Sequence, residues 1–170
     1  KGGRIMPNWC SNSIELRGTV HHRREFVDKN KGYSMWDTTK VNDYHNLSFH
    51  ASVPCLKKHL TSHKKNTSNQ GWYAWCNKHW GTKWEAIDSE VYHSEDGTSY
   101  SFETAWGSPV EYVKKVSRMY PQIEFHVIWS EEGGEGGKYM YHGGDCFYDT
   151  PMSQKEWRER NGYEEEEDEE

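Results

Sequence analysis

Six stretches of the chain alternate apolar with polar positions, the pattern of half-buried β-strands. These stretches are residues 11–18, 46–54, 85–94, 98–106, 122–130 and 138–142. The third and fourth join through Asp96-Gly97, a favoured pair for a tight hairpin turn. In residues 46–54, Leu47 and Phe49 share one face before Pro54 ends the ladder. The pattern predicts an antiparallel sheet, with the following residues on one face of the fourth strand: Tyr100, Phe102, Thr104 and Trp106.

Three other stretches repeat apolar residues with the period of a helix. Residues 21–30 turn Phe26 and Val27 inward, and residues 71–80 end at Gly81, which suits a helix C-terminus. The apolar stripe of the second helix consists of Trp72, Trp75, Cys76, His79 and Trp80. The intervening residues 55–70 are polar and lysine-rich, which predicts a surface excursion.

The third helix, in residues 108–121, has the sequence of a capped N-terminus. Ser108 and Glu111 have the spacing of a capping box, and Pro109 suits the first turn. Its predicted buried face consists of Val113, Val116 and Met119. After it, residues 138–150, KYMYHGGDCFYDT, are predicted to be the last strand of the sheet and the turn that follows.

The order of these elements predicts an α+β fold. It is a ferredoxin-like antiparallel sheet with helices on one face, an inserted excursion and an added C-terminal edge strand. Aliphatic residues are few, whereas the chain has 9 Trp, 11 Tyr and 5 Phe. Because each ring buries a large area, we expect tryptophan and tyrosine to fill most of the core.

Charge and composition divide the chain. The net charge is -6, and residues 164–170 alone read EEEEDEE, a run that should be disordered. We expect a single domain in residues 6–150 and a C-terminal extension in residues 151–163. Residues 1–5 resemble either a translated ribosome-binding leader before Met6 or a tag remnant.

No apolar run approaches the roughly 20 residues that a membrane helix needs. The four cysteines lie far apart without a C-x-x-C pair, which fits neither a disulfide framework nor a zinc ribbon. The sequence therefore predicts a protein of the reducing bacterial cytoplasm that does not contact a membrane.

Four stretches of the chain together resemble the YubB-type ferredoxin-like family of phage and conjugative-plasmid proteins. These stretches are MPNWCSNSIELRG, LSFHASVP, WCNKHWGTKWEA and FETAWGSPVEYVKKVSRMYPQIEFHVIWSEEG. The resemblance implies a ferredoxin-like fold and an origin in a mobile element. That family has no established activity, so the resemblance implies no catalytic residue.

Candidate chemical sites are weak in this sequence. Cys55, His59 and His63 are spaced as on one helix face, but the outer two would lie about 12 Å apart and cannot share an ion. The loop EEGGEGG carries too many carboxylates to bind a phosphate. Cys76 and His79 lie on the predicted core stripe, where a thiol acts as a small apolar group. We therefore expect no catalytic residue, metal or cofactor.

Binding is the better-supported class of function. Exposed tryptophans suit a protein partner, and the candidates are Trp36 and Trp157, which lie outside the predicted elements. The sequence thus favours a non-enzymatic mobile-element accessory protein that binds a host component, as a counter-defence or host-takeover inhibitor.

The alternative is a single-stranded nucleic-acid or nucleotide binder, in which a lysine patch contacts phosphates and rings stack on bases. The lysines of this patch are Lys57, Lys58, Lys64 and Lys65. The candidate stacking rings are Tyr92, Tyr139 and Tyr141.

Overall fold

A computed structural model describes residues 8–36, 44–60 and 71–163 of the chain. In chain order the elements are β1 (Trp9–Arg17), α1 (Val20–Asn30), β2 (Gly32–Tyr33), β3 (Tyr44–His45), α2 (Phe49–Ser52), α3 (Lys57–Leu60), α4 (Gly71–His79), β4 (Ile87–His93), β5 (Thr98–Ala105), α5 (Val110–Met119), β6 (Glu124–Glu131), β7 (Gly136–His142), β8 (Asp145–Pro151) and α6 (Gln154–Arg160). The predicted leader, residues 1–5, and the acidic run, residues 164–170, lie outside the described residues.

One six-stranded antiparallel sheet organises the fold, in the order β4-β5-β1-β6-β7-β8. Its first four strands, with α1 and α5, form a ferredoxin-like βαββαβ unit, which confirms the predicted fold class. The predicted added strand is β7. A further strand, β8, replaces the turn predicted after it and forms the outer edge of the sheet.

Helices and sheet enclose a core made largely of phenylalanine and tyrosine. Phe26 of α1 packs against Tyr120 and Phe125 with ring centroids 5.0 and 5.3 Å apart. The ring centroids of Phe49 and Tyr112 lie 4.2 Å apart. Of the nine tryptophans only Trp80 is fully buried. The expectation that tryptophan fills most of the core is therefore wrong, whereas tyrosine does contribute to it. Indoles are too large to be enclosed by so few helices, and most lie at the border of the core.

Residues 46–54 contain the short helix α2 (Phe49–Ser52) instead of the predicted strand. Leu47 and Phe49 are buried as expected, but the Ser48 hydroxyl accepts the Ala51 N–H and begins a helical turn. A short apolar alternation fits a strand or a buried helical turn equally well, and here the polar groups around the backbone favour the turn.

The start of α5 also differs from the capping-box prediction. Pro109 occupies the N-cap position without a side-chain hydrogen bond. The Ser108 hydroxyl instead lies 2.8 Å from the Tyr139 hydroxyl in the core. On the same helix Met119, which was predicted to be buried, is exposed, and Tyr112 is buried together with Val113 and Val116.

The end of β5 leaves a predicted core residue outside. Trp106 follows the strand with a φ of 75° and is 50% exposed, so it does not share the buried face of Tyr100 and Phe102. The left-handed backbone turns the chain away from the alternation of the strand.

Helix α6 packs on the face of the sheet opposite the other helices. Ser153 and Glu156 form a capping box, and Lys138 of β7 binds the Glu156 carboxylate over 2.5 Å. The Trp157 indole N–H donates to the Glu131 carbonyl over 3.0 Å. Trp157 therefore belongs to a helix that contacts the sheet, whereas the sequence placed it outside the regular elements. Among the helices of the described residues, none is long and apolar enough to span a bilayer.

Candidate functional site: an aromatic cleft beside strand β4

A cleft of about 500 Å³ opens between the β2–β3 hairpin and the start of β4. Its described lining residues are Ser34, Trp36, Tyr44, His45, Trp84, Glu85, Ile87, Asp88 and Ser89. The volume is in the range of small-ligand and side-chain pockets. We refer to these residues as the aromatic cleft.

Two rings at the rim of the aromatic cleft are exposed yet held in place by other rings. Trp36 is 44% exposed and packs edge-on against Trp72, with centroids 5.0 Å apart. Tyr44 is 54% exposed and meets Tyr33 in the same way at 5.2 Å. Each ring therefore presents a fixed apolar surface, which lowers the entropy lost on binding.

Trp84 provides the third ring and links the cleft to a basic residue. Its ring lies 6.2 Å from that of Trp9, and the Lys83 ammonium lies 4.5 Å from its centroid. The same ammonium lies 5.7 Å from the Tyr73 ring. Cation–π attraction thus already operates on this indole within the fold.

The floor of the aromatic cleft is polar. The buried Glu85 carboxylate accepts the backbone N–H groups of Phe49 and His50 over 2.6 and 2.9 Å. The Ser89 hydroxyl accepts the Leu47 N–H over 3.1 Å. These bonds attach the 46–50 segment to β4 and fix the base of the cleft.

Asp88 lies in an unusual backbone conformation on the wall of the aromatic cleft. A β-bulge interrupts the pairing of β4 with β5 between Ile87 and Glu90, and the φ of Asp88 is 49°. Among the described residues only Trp106 is another non-glycine residue with positive φ. Backbone strain of this kind concentrates at binding and catalytic sites, and here it accompanies an exposed carboxylate.

The charge of the aromatic cleft is negative. Its described lining contains the carboxylates of Glu85 and Asp88 and the imidazole of His45, and no lysine or arginine. An anionic ligand would meet repulsion here, whereas a cation would meet both carboxylate charge and ring faces.

The residues that the sequence predicted for binding lie on different elements of the fold. Trp36 lies in the aromatic cleft. Trp157 lies on α6 and stacks on Tyr163, which follows that helix, with ring centroids 5.5 Å apart. Tyr92 is exposed on edge strand β4, where its hydroxyl bonds to the Glu90 carboxylate.

Two of the three predicted base-stacking tyrosines are enclosed. Tyr139 is 1% and Tyr141 9% exposed. Both project from β7 into the core, because they alternate with Lys138 and Met140 on the other face, so neither can stack on a base.

The lysine patch is only partly described. Lys58 is exposed on α3, which also includes Lys57. Lys64 and Lys65 lie outside the described residues.

None of the three buried thiols has the lowered pKa of a nucleophilic cysteine. Burial raises the pKa of Cys10 to about 12 and that of Cys55 to about 11, and it raises the pKa of Cys76 further. Burial and then the nearby Lys115 ammonium lower the pKa of His79, whose Nδ1 lies 2.7 Å from that ammonium. A neutral buried thiol is a poor nucleophile.

The candidate metal-binding residues do not converge in the part of the chain that the structure covers. No group of three or more His, Cys, Asp or Glu side chains there could hold an ion. Residues 142–146, HGGDC, also combine a histidine, a carboxylate and a thiol; His142 bonds through Nε2 to the Pro121 carbonyl over 2.7 Å, while Asp145 and Cys146 are exposed. His63, from the 55–63 motif, lies outside the described residues.

Sequence reasoning missed most of the aromatic cleft. Tyr44, Trp84, Glu85 and Asp88 join Trp36 only through the bulge of β4 and the hydrogen bonds that Ser89 makes with Asn46 and Leu47. The WEAID sequence carried a weak signal, since it places an indole and two carboxylates within five residues at the start of a strand.

Comparison with known proteins defines the class of the chain. Residues 79–170 match the family described as "Ferredoxin-like domain in Api92-like protein", which is more than half of the chain. The chain therefore belongs to this family of ferredoxin-like domains.

A solved structure extends the likeness to the whole fold. The crystal structure of the protein api92 from Yersinia pseudotuberculosis superposes with a TM-score of 0.64, covering 87% of this chain and 99% of that one. The two sequences are 9% identical, so the likeness shows the fold alone. No curated protein matches the chain.

Proposed function

We propose that this protein is a non-enzymatic accessory protein of a phage or plasmid, and that it binds a host protein through the aromatic cleft. In that setting its role would be counter-defence or host takeover by covering a surface of the host protein. The mobile-element origin is supported by the resemblance of the sequence to the YubB-type family.

The observation that carries the proposal is the pair of exposed, braced rings, Trp36 and Tyr44, at the rim of the cleft. Tryptophan and tyrosine contribute a large share of the binding energy of protein interfaces, chiefly when they are rigid and lie beside a pocket. The Trp72 and Tyr33 rings supply that rigidity.

Affinity capture from a bacterial lysate tests the proposal with three forms of the protein. These are the unmodified chain, the double variant Trp36→Ala/Tyr44→Ala, and Phe147→Ala/Tyr148→Ala as a matched control that removes two exposed rings from β8 at the other edge of the sheet. A captured protein is then purified, and its affinity for each form is measured by calorimetry.

We expect the same partner with the unmodified chain and the control, and affinity at least about tenfold lower for the double variant. Capture of no partner, or equal affinity for all three forms, would contradict the proposal. Circular dichroism of the double variant verifies that its fold is retained.

Binding of a single-stranded nucleic acid or nucleotide is the second proposal, supported by the exposed Lys58 of the lysine patch. Titration of tryptophan fluorescence with single-stranded DNA, RNA and nucleotides tests it at low and high salt. Binding to phosphates should weaken steeply as salt rises. No quenching even at low salt would remove this proposal.

A further inference from the structure

We infer that the aromatic cleft binds a cationic side chain, arginine or lysine, from the partner protein. The inference rests on the proposed function and specifies the chemistry of the partner. Its basis is the combination of ring faces and carboxylates without a basic residue among the described lining residues.

The rings supply the first part of the recognition. Trp36 and Tyr44 are each about half exposed, and they lie in the same cleft as Trp84, over whose ring the Lys83 ammonium already lies. A guanidinium or ammonium group over such ring faces is attracted by their negative π-electron density, most strongly over tryptophan. The methylene stem of the same side chain would cover apolar surface of the cleft.

Asp88 supplies the directional charge. Its exposed carboxylate is available at the wall, whereas the Glu85 oxygens already accept the backbone N–H groups of Phe49 and His50. A carboxylate beside aromatic faces pairs with arginine through two parallel N–H bonds, or with lysine through one. Glu85 adds negative potential from the floor.

The charge of the cleft disfavours the alternative ligands. A phosphorylated or acidic side chain would approach the Asp88 carboxylate, and the described lining has no lysine or arginine; the Lys83 ammonium lies over the Trp84 ring and is not among the lining residues. A neutral apolar side chain would gain ring contact but would desolvate the Asp88 carboxylate without a partner.

Peptides that differ only in charge test the inference. Acetyl-Gly-Arg-Gly-amide is compared with the same peptide containing citrulline, which has nearly the shape of arginine but no charge, and with lysine and glutamate peptides. The readout is the set of indole N–H signals in ¹H–¹⁵N spectra, in which Trp36 and Trp84 are assigned with Trp→Phe variants.

We expect the Trp36 and Trp84 signals to shift with the arginine or lysine peptide at roughly millimolar concentration, while the Trp129 and Trp157 signals stay in place. The citrulline peptide should bind at least about tenfold more weakly, and added salt should weaken the binding of the charged peptides. Equal binding of the citrulline peptide would overturn the inference.

The Asp88→Asn variant removes the charge with little change in backbone preference, because asparagine also tolerates positive φ. Asp96→Asn, at the exposed β4–β5 turn, is the control with the same charge change. We expect Asp88→Asn to weaken the arginine peptide about tenfold and Asp96→Asn to leave it unchanged. Equal affinities of the two variants would overturn the inference.

Failure of this inference is distinguishable from failure of the proposed function. If the captured partner depends on Trp36 and Tyr44 but binds Asp88→Asn normally and no basic peptide shifts the indole signals, the proposed function stands and the cationic specificity is wrong. If the ring variants leave partner binding intact, the proposed function itself is wrong.

Discussion

The Glu85 carboxylate accepts the backbone N–H of Phe49 over 2.6 Å, so a side chain at the start of the β4 segment caps a helical turn 36 residues earlier in the chain. The same carboxylate accepts the His50 N–H over 2.9 Å. This relationship explains how α2 forms within residues 46–54, whose apolar alternation predicts a strand. It also places a charge beneath the aromatic cleft.

Replacement of this carboxylate should loosen both α2 and the cleft. We expect Glu85→Gln to lower the free energy of unfolding by about 1–3 kcal/mol, because one of two buried backbone donors loses its acceptor. Urea unfolding followed by circular dichroism measures the change. Glu103→Gln, half-buried on β5, is the matched control and should be close to neutral. Equal loss in both variants would contradict the capping role.

Thiol reactivity should distinguish one cysteine from the other three. Cys146 is exposed on β8, whereas Cys10, Cys55 and Cys76 are buried and burial raises the pKa of each. We expect iodoacetamide at neutral pH to modify one thiol rapidly in the native protein and all four after unfolding, as measured by mass spectrometry. Cys146→Ser should abolish the rapid reaction. A second rapidly modified thiol would show that part of the core is open.

The contact between α6 and strand β7 should weaken at acid pH. The Lys138 hydrogen bond, followed by bonds from Ser153, lowers the pKa of Glu156 from 4.5 to about 2. Because the folded pKa is the lower one, the stabilisation is fully present above pH 4.5 and is lost as pH falls toward 2. The Trp157 indole N–H signal, followed from pH 6 to 2, should change in that window.

Glu156→Gln is the control for the acid transition. Glutamine does not ionise, so the change in the Trp157 signal between pH 4.5 and 2 should disappear in this variant. A transition that persists unchanged would assign the acid sensitivity of α6 to another group.

Gly81 ends α4 with a conformation that other residues rarely adopt. Its φ is 82°, and a Cβ atom there would lie 3.2 Å from the backbone nitrogens of Val110 and Glu111. We expect Gly81→Ala to reduce the free energy of unfolding by about 1–3 kcal/mol. Gly107→Ala is the control, since a Cβ there meets nothing within 4 Å. A neutral Gly81→Ala would mean that α5 moves away at little cost.

The sequence predicted those elements whose periodicity and end signals agree. Strands β1, β5 and β6 and helix α4 with Gly81 follow their patterns because burial of one face decides both the pattern and the structure. The strand prediction for residues 46–54 was wrong because the carboxylate of Glu85, which is distant in sequence, accepts the N–H groups at the start of α2. The capping-box prediction for Ser108 was wrong because its hydroxyl bonds to the buried Tyr139 hydroxyl, and Pro109 occupies the N-cap position of α5.

The aromatic cleft was largely beyond prediction for a related reason. Trp36 stood out as a tryptophan outside the regular elements, but its neighbours Tyr44, Trp84 and Asp88 come from segments that only the tertiary fold brings together. The bulge that reorients Asp88 has no glycine or proline to announce it. Tyr139 and Tyr141, two of the candidate stacking rings, lie on the covered face of β7, and the alternation of a strand does not tell which of its two faces is covered.

The antiparallel register puts the exposed Cys146 and the cleft residue Trp84 at opposite ends of the sheet. Cys146 lies opposite Tyr141, close to the β6–β7 pair Glu124 and His142, whereas Trp84 contacts Trp9 at the far end of β1. Strand β1 has 9 residues, a span of roughly 30 Å. A biosensor surface coupled through the Cys146 sulfur would therefore present every molecule in one orientation, with the ring-lined opening directed toward the flowing analyte.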